Sequence, residues 1–356
     1  MTQQVAFVTG ATGLLGNNLV RLLSQRGFRV KALARSQAKA DRQLAGIGGV
    51  EIVIGDINDV SSFADHLGGS DILFHTAAHF RDSYKGGNHW AALYKINVEG
   101  TRELLKAAYA QGVRRMVHTS SIAVLDGPRG AVMDETMLRQ LPEKDPYYRS
   151  KVMSDNEVLA FLNDHHDFHA TFVLPGWMHG PGDIGPTQAG QTVTDFALGR
   201  LPGIVPATFA FVDARDVALA HIAAAEKGRR GERYLAAGRH MTIEQLFKML
   251  ERVTNIKGPT RKLPALLLYA IAAVSEVAAR ATGKPALLSW ATVRVMMQER
   301  DRSRFNHAKS TAELGISFRP VEETLIDEIA WFRANGVLPV AMSHTAPAMN
   351  VVTISG

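Results

Sequence analysis

The run V-A-F-V-T-G-A-T-G-L-L-G at residues 5–16 constrains the fold more than any other stretch of this chain. Apolar residues at 5–8 lead into glycines at 10, 13 and 16, and then into the apolar-periodic Leu19, Val20, Leu22 and Leu23. That order predicts a buried strand, a tight glycine turn and a helix. Glycine is needed where a pyrophosphate approaches the backbone, where the turn bends sharply, and where the helix packs close to the strand. The first amides of such a helix lack intrahelical partners and point at the anion. The spacing is G-x-x-G-x-x-G rather than G-x-G-x-x-G, so the dinucleotide reading draws on the strand before and the helix after. Gly10, Thr12, Gly13, Leu14, Leu15 and Gly16 are the candidate cofactor-binding residues of this turn.

A second strand at 28–34 ends in Arg35 and Ser36 with no acid. An acidic side chain at such a strand end takes a ribose 2′-hydroxyl, whereas an arginine accommodates a 2′-phosphate. The expectation is therefore NADP(H) in preference to NAD(H), with Arg35 on the phosphate. A merely solvated arginine is the alternative, and its being the only charge at that strand end weighs against it.

Further strands are expected at 50–54, 71–76, 113–119 and 170–174, with helices at 98–111 and 148–163 between them. Such alternation argues for an α/β fold, a doubly wound parallel sheet with right-handed crossovers. Turns that include small residues close two of these strands, Gly55-Asp56-Ile57 and Thr76-Ala77-Ala78. They suit a flat ligand lying across the strand ends. From Pro175 the composition changes: residues 176–190 hold five glycines and two prolines and read as an irregular loop. Beyond it, strands at 209–212 and 232–236 flank a helix at 216–226. Helices follow at 241–254, 263–281, 287–298 and 321–335, the first with Thr242 and Gln245 placed for a capping box. The expected division is a cofactor domain at 1–175 to which 208–238 returns, a smaller helical substrate domain at 176–207 and 239–338, and a tail at 339–356 without Lys, Arg, Asp or Glu.

Composition excludes several classes. The chain has no cysteine, so disulfides, zinc-thiolate sites and thiol nucleophiles are out. A net charge of +6, from 40 basic and 34 acidic residues, is spread without a basic run interleaved with aromatics, which argues against nucleic acid and fits a mild preference for anionic ligands. The apolar stretch at 263–281 contains Pro264, Ser275, Glu276 and Arg280 and falls short of a spanning helix, so no membrane insertion is expected and the stretch reads as a core or lid helix. A start at M-T-Q-Q without a charged leader makes the cytoplasm the default location. His165, His166, Asp167 and His169 are metal-ligand types, but they fall on a helix-to-strand connection and no metal site is expected.

Tyr147 and Lys151, four apart in D-P-Y-Y-R-S-K, share one face of a helix that Pro146 can start. A phenol has a pKa of about 10, too high for an efficient acid at neutral pH, and a nearby ammonium lowers it. The pair is thus a tuned proton donor, although the same spacing also occurs on solvated helix faces. Thr119, Ser120 and Ser121 end the fifth strand, where a hydroxyl projects toward the cofactor or else bonds its own turn.

Taken together, these residues resemble the extended short-chain dehydrogenases/reductases, which include dihydroflavonol-4-reductase-like enzymes and nucleotide-sugar epimerases and dehydratases. T-G-A-T-G-L-L-G, G-D-I, H-T-A-A, I-N-V-E-G-T, T-S-S-I-A-V and Y-Y-R-S-K match family motifs in order, over residues 3–338. The resemblance implies a Rossmann-type fold, Ser121 on the substrate carbonyl, Tyr147 passing the proton, and Lys151 holding the ribose and tuning Tyr147. It also implies a role for Asn97, cofactor contacts by Thr119, Pro175 and Gly176, and a homodimer. I-A-V-L-D-G lacks the V-Y-G of nucleotide-sugar epimerases, and V-L-P-G lacks their Asn, which puts a nucleotide-sugar in doubt. Candidate substrate residues are His79, Tyr148, Trp177 and Met178; Trp177, Met178 and Phe209 suggest an apolar or aromatic substrate. The expectation is an NADP(H)-dependent carbonyl reductase or alcohol dehydrogenase. The alternatives are an epimerase or dehydratase that retains its cofactor, and a redox-sensing module without chemistry.

Overall fold

Alternating apolar segments and amphipathic helices give the chain its order, which a computed structural model describes for residues 3–80, 89–282 and 290–339. The first half runs β1 (Val5–Thr9), α1 (Leu14–Gln25), β2 (Arg29–Ala34), α2 (Gln37–Leu44), β3 (Val50–Ile54) and β4 (Ile72–His75). Next comes α3 (Trp90–Leu93), continuing through a π-helical stretch (Tyr94–Glu99) into α4 (Gly100–Ala110), then β5 (Arg115–Thr119), β6 (Val132–Met133), α5 (Pro146–Asp164) and β7 (His169–Pro175). The second half holds β8 (Trp177–His179), α6 (Gln188–Ala197), β9 (Thr208–Asp213), α7 (Ala214–Lys227), β10 (Arg233–Ala236), β11 (Arg239–Thr242) and α8 (Ile243–Thr254). It ends with α9 (Ala265–Thr282), α10 (Trp290–Gln298), β12 (Arg304–Phe305), α11 (Ala308–Leu314) and α12 (Val321–Ala334).

Seven strands form one sheet in the order β10-β7-β5-β4-β1-β2-β3, with every pair parallel. The strand order reverses between β1 and β4, the place where a doubly wound sheet opens a crevice at its carboxyl edge. Both faces are covered. Phe7, Leu33, Leu73, Leu104 and Phe172 belong to one apolar cluster, and Val8, Leu19, Phe74, Val217 and Tyr234 to the other. Alternate residues of one strand thus enter opposite cores, as a period of two requires. Fully burying side chains of this size contributes about 1.5–3 kcal/mol each.

A second sheet, β11-β9-β8, carries a third core in which Phe196, Phe211, Leu246, Leu325 and Phe332 meet. Residues 176–190 are therefore not one irregular loop: 177–179 pair in parallel with β9, and α6 opens inside the stretch on the Thr187 cap. The capping box at Thr242 and Gln245 forms as expected, each side chain bonded to the other residue's backbone. The first part of the helix expected at 287–298 and almost all of the 339–356 tail lie outside the described residues. Among those residues, no helix is long and apolar enough to cross a membrane.

Candidate active site

Gly10 ends β1 with φ +66, a left-handed conformation that costs other residues energy. A Cβ there would lie 2.8 Å from the Ala77 backbone nitrogen, so the turn after β1 and the end of β4 touch. The Thr76 hydroxyl donates to the Thr9 carbonyl at 2.6 Å, and the Ala77 N–H donates to the Thr9 hydroxyl at 3.1 Å. A Cβ on Gly16 would sit 2.1 Å from the Gly10 carbonyl oxygen, which fixes how closely α1 returns to β1. Helix α1 starts at Gly13 with no side-chain cap and no acid in its first turn. Its leading amides, at Leu14, Leu15 and Gly16, thus suit an anionic group against bare backbone. The Leu14 and Leu15 side chains are buried, and Leu15 packs in the core, leaving only their backbones for that task. Thr12 is also buried, with its carbonyl toward the Gln43 amide at 3.5 Å.

Ala11 N–H donates to the Leu33 carbonyl at 3.3 Å, which brings the end of β2 beside the glycine turn. Arg35 follows that end, exposed, with no ion pair among the described residues. Asp56 uses one carboxylate oxygen on the Asn58 amide and side chain, at 2.9 and 3.0 Å, and Ile57 is buried in the core behind it.

Helix α5 begins where the Asp145 carboxylate accepts from the Tyr147 and Tyr148 amides at 3.0 and 3.1 Å, with Pro146 in the first turn. Tyr147 meets Phe80 edge to face, ring centroids 4.8 Å apart. One turn on, the Lys151 ammonium is 2% exposed and donates to the Thr119 carbonyl at 2.8 Å. Burial lowers the pKa of this amine to about 8, against an opposing pull from Asp155. Ser121 lies two residues past Thr119 and accepts from the Ala123 amide at 3.1 Å, capping a short turn on which α5 packs. Thr119, Ser121, Tyr147 and Lys151 thus share the carboxyl end of β5 and the first turns of α5.

Asn97 lies on the π-helical stretch and is buried. Its side chain accepts from the His79 N–H at 2.7 Å and donates to the His79 carbonyl and the Ser150 hydroxyl, each at 3.0 Å. It therefore ties the segment after β4 to α5. Tyr148 packs beneath the Arg139 guanidinium at 4.6 Å. Trp177 and Met178 point to opposite faces of β8: Trp177 meets Phe209 edge to face at 4.5 Å, while Met178 packs on the core beside α1 and α7. Pro175 is buried, and a Cβ on Gly176 would lie 2.4 Å from the Ala237 carbonyl oxygen, so the backbone is tightly packed there.

The structure adds a buried polar cluster that the motifs do not announce. The Asp155 carboxylate accepts from the Ser120 hydroxyl at 2.9 Å and from Arg233 Nε at 3.3 Å, with His118 Nε2 at 3.4 Å, long for a hydrogen bond. Burial raises the carboxyl pKa, but His118, Arg233 and Lys151 together hold it below its ordinary value. Burial holds His118 and His75 below theirs, so the cation in ion-pair contact with Asp155 is Arg233, while Lys151 acts on it through its charge. The only signals in sequence are an acid four residues past Lys151 and histidines inside apolar strands. Asp167 accepts from Tyr109 at 3.0 Å and Arg114 at 2.9 Å, and His165 stacks on Phe161 at 4.0 Å.

Residues 6–237 match the model of the NAD dependent epimerase/dehydratase family. The chain belongs to this family. Within it, the chain is 36% identical over 334 residues to sterol demethylase protein B of Methylococcus capsulatus, covering 93% of this chain and 99% of the relative. It is 31% identical over 338 residues to a putative dihydroflavonol 4-reductase of Synechocystis, covering 93% and 95%. The crystal structure of gox2253 superposes with a TM-score of 0.78 at 35% identity, over 94% of this chain and 99% of that one. These relatives make the protein an extended short-chain dehydrogenase/reductase, the oxidoreductase and epimerase group that its motifs resemble.

Proposed function

We propose that this family member is an NADP(H)-dependent oxidoreductase that reduces a carbonyl, or oxidises the corresponding alcohol, on a small apolar or aromatic substrate. The observation that carries the reading is the buried Lys151 amine, one helical turn from Tyr147 and held at 2.8 Å on the carbonyl of Thr119, the residue two before Ser121 in the chain. The nicotinamide supplies or accepts the hydride when bound. The Ser121 hydroxyl holds the substrate oxygen, and Tyr147 gives that oxygen its proton during reduction. Lys151, cationic below about pH 8, favours the phenolate and so makes Tyr147 a usable acid near neutrality, while its ammonium also holds the ribose. Asn97 positions the segment after β4 against α5 and supports both.

For the cofactor, the α1 amides after Gly13 take the pyrophosphate, Arg35 the 2′-phosphate, and Asp56 and Ile57 the adenine side. Thr76, Ala77, Ala78, Thr119, Pro175 and Gly176 surround the nicotinamide side. The uncapped helix start and the exposed Arg35, without an ion pair among the described residues, support this assignment. In this reading the seven-stranded sheet binds the cofactor, and residues 176–207 and 239–338 shape the substrate side, with His79, Tyr148 and Trp177 nearest it. Met178, packed on the core, supports the wall instead. The Trp177 and Phe209 rings favour an apolar partner, as do relatives named for a sterol and a dihydroflavonol. A homodimer through α4 and α5 completes the proposal, and the mass in solution tests it.

The family's own description favours a second reading, an epimerase or dehydratase with a retained cofactor. A panel of ketones, aldehydes, flavanone-like compounds and sterol ketones, followed by NADPH and NADH absorbance with nucleotide-sugars run alongside, separates the two. Net NADPH consumption with an apolar carbonyl supports the reductase. Isomerised sugar with no net consumption replaces it with the alternative.

A further inference from the structure

Helix α9 is apolar on two sides. Leu268 and Ala272 face inward, where they pack with Leu263 and Val293. Leu266, Ala270, Ala273, Val274 and Val277 face out, at spacings of four, three, one and three residues, which is a single stripe of an α-helix. Leu266 is 83% exposed, Val274 70% and Val277 65%. A core helix buries its stripe, and scattered exposed apolar side chains are ordinary, but an aligned row along one helix is not. Trp290, half exposed at the start of α10, stands beside it with its ring 4.6 Å from Tyr269 and its backbone N–H donating to the Glu276 carboxylate at 2.8 Å.

The charge around the stripe says what covers it. Between residues 255 and 300 the sequence has seven basic and two acidic residues, a surplus of five against six for the whole chain. Arg261 and Lys262 precede the helix and are exposed, Lys262 reaching Glu244 at 2.9 Å, and Arg294 and Arg300 follow on the exposed side of α10 and its end. A second copy of the chain docked by a twofold would set this surplus against itself, because such an interface presents the same patch from both sides. An anionic bilayer complements it. An apolar stripe flanked by cations, with an aromatic residue at its edge and too little hydrophobicity to span, describes a helix that lies in the headgroup region.

We propose that α9, with Trp290, docks this protein on the surface of an anionic lipid bilayer. The inference stands apart from the catalytic reading, since it concerns binding with no substrate present, and it concerns a helix resting on a membrane, not crossing one.

The test is flotation of the full-length protein with vesicles of phosphatidylcholine alone or mixed with phosphatidylglycerol. Binding is expected on the mixed vesicles, weakening as salt is raised. L266S/V274S/V277S, which leaves every charge in place, is expected to lower partitioning at least about tenfold. R261Q/K262Q is expected to lower it severalfold on mixed vesicles. Should the triple variant melt early, Val274→Ser alone replaces it. Hydrogen exchange on the wild-type protein is expected to slow across 265–277 when mixed vesicles are added. The proposal is overturned by absence of binding to mixed vesicles, or by binding that the serine substitutions leave unchanged, which means adsorption by charge alone. It is also overturned if the serine variants turn a dimer into a monomer while no vesicle binding is seen.

Discussion

Lys151 and Thr119 are joined at the sheet edge, the ammonium donating to the backbone carbonyl at 2.8 Å from a position that water scarcely reaches. Burial brings the pKa of this amine to about 8, and Asp155 is the group that resists the shift. A lysine with a lowered pKa carries its charge below that value and loses it above. Activity that depends on the ammonium therefore falls as pH rises through about 8. Asp155→Asn removes the charge that favours the ammonium while keeping an acceptor for Ser120 and Arg233. The falling limb of the kcat/KM profile is expected to move to lower pH in this variant, with kcat at about pH 6 little changed. An unmoved limb means that Asp155 does not tune the site.

Arg35 is expected to decide between cofactors. Arg35→Ala loses a charge-assisted contact to the 2′-phosphate and should raise KM for NADPH about tenfold or more, with KM for NADH within about twofold of wild type. Steady-state kinetics with both cofactors reads this directly, and a parallel rise for both assigns Arg35 no selective role.

Gly16 leaves no room for a methyl group. A Cβ would stand 2.1 Å from the Gly10 carbonyl oxygen and 2.8 Å from Ala11 Cα, all backbone, so α1 has to retreat from the turn. Gly16→Ala is expected to cost about 2–4 kcal/mol in denaturant unfolding and to weaken cofactor binding with it.

Asp183 gives stability a pH dependence of its own. Burial raises its pKa from 3.8 to about 6 with help from Glu328, against hydrogen bonds from Thr187 and the influence of His179. Between those values the folded protein holds a proton that the unfolded chain releases. Stability from this group thus falls as pH rises from about 4 to about 6, and a constant penalty of roughly 3 kcal/mol remains above, from about 1.4 kcal/mol per pKa unit. Both Thr187 donors reach the same carboxylate oxygen, at 2.7 and 2.8 Å, and an amide oxygen can accept both. Asp183→Asn is therefore expected to unfold at higher denaturant than wild type near pH 8, with the curves converging toward pH 4.

Local patterns make part of this molecule legible in sequence. The strand, glycine turn and helix from Val5 onward are encoded by neighbours in the chain, as are the Asp145–Pro146 start of α5 and the Thr242 capping box. β8 is not, because three residues between Gly176 and Gly180 become a strand only by pairing with Phe211, Val212 and Asp213 of β9, each more than thirty positions from its partner. Helix α6 is masked by Gly190 and two threonines among its ten residues, and it draws its stability from packing Val193 and Phe196 in the third core. The Asp155, His118 and Arg233 cluster is assembled from α5, β5 and β10, elements that meet only in the folded sheet. Residue type flags each member, but nothing local says that they touch. Asn97 reads as a helix start, and its bonds to His79 and Ser150 follow from the packing of the π-helical stretch on α5.

The most direct measurement is turnover of an accepted apolar carbonyl by Tyr147→Phe, with NADPH binding measured in the same preparation. Loss of the only group proposed to protonate the substrate oxygen is expected to lower kcat at least about a hundredfold while leaving NADPH affinity close to that of wild type. Turnover within a few fold of wild type would contradict the account, because the proton would then come from elsewhere and the arrangement of Ser121, Tyr147 and Lys151 would not be the site of reaction.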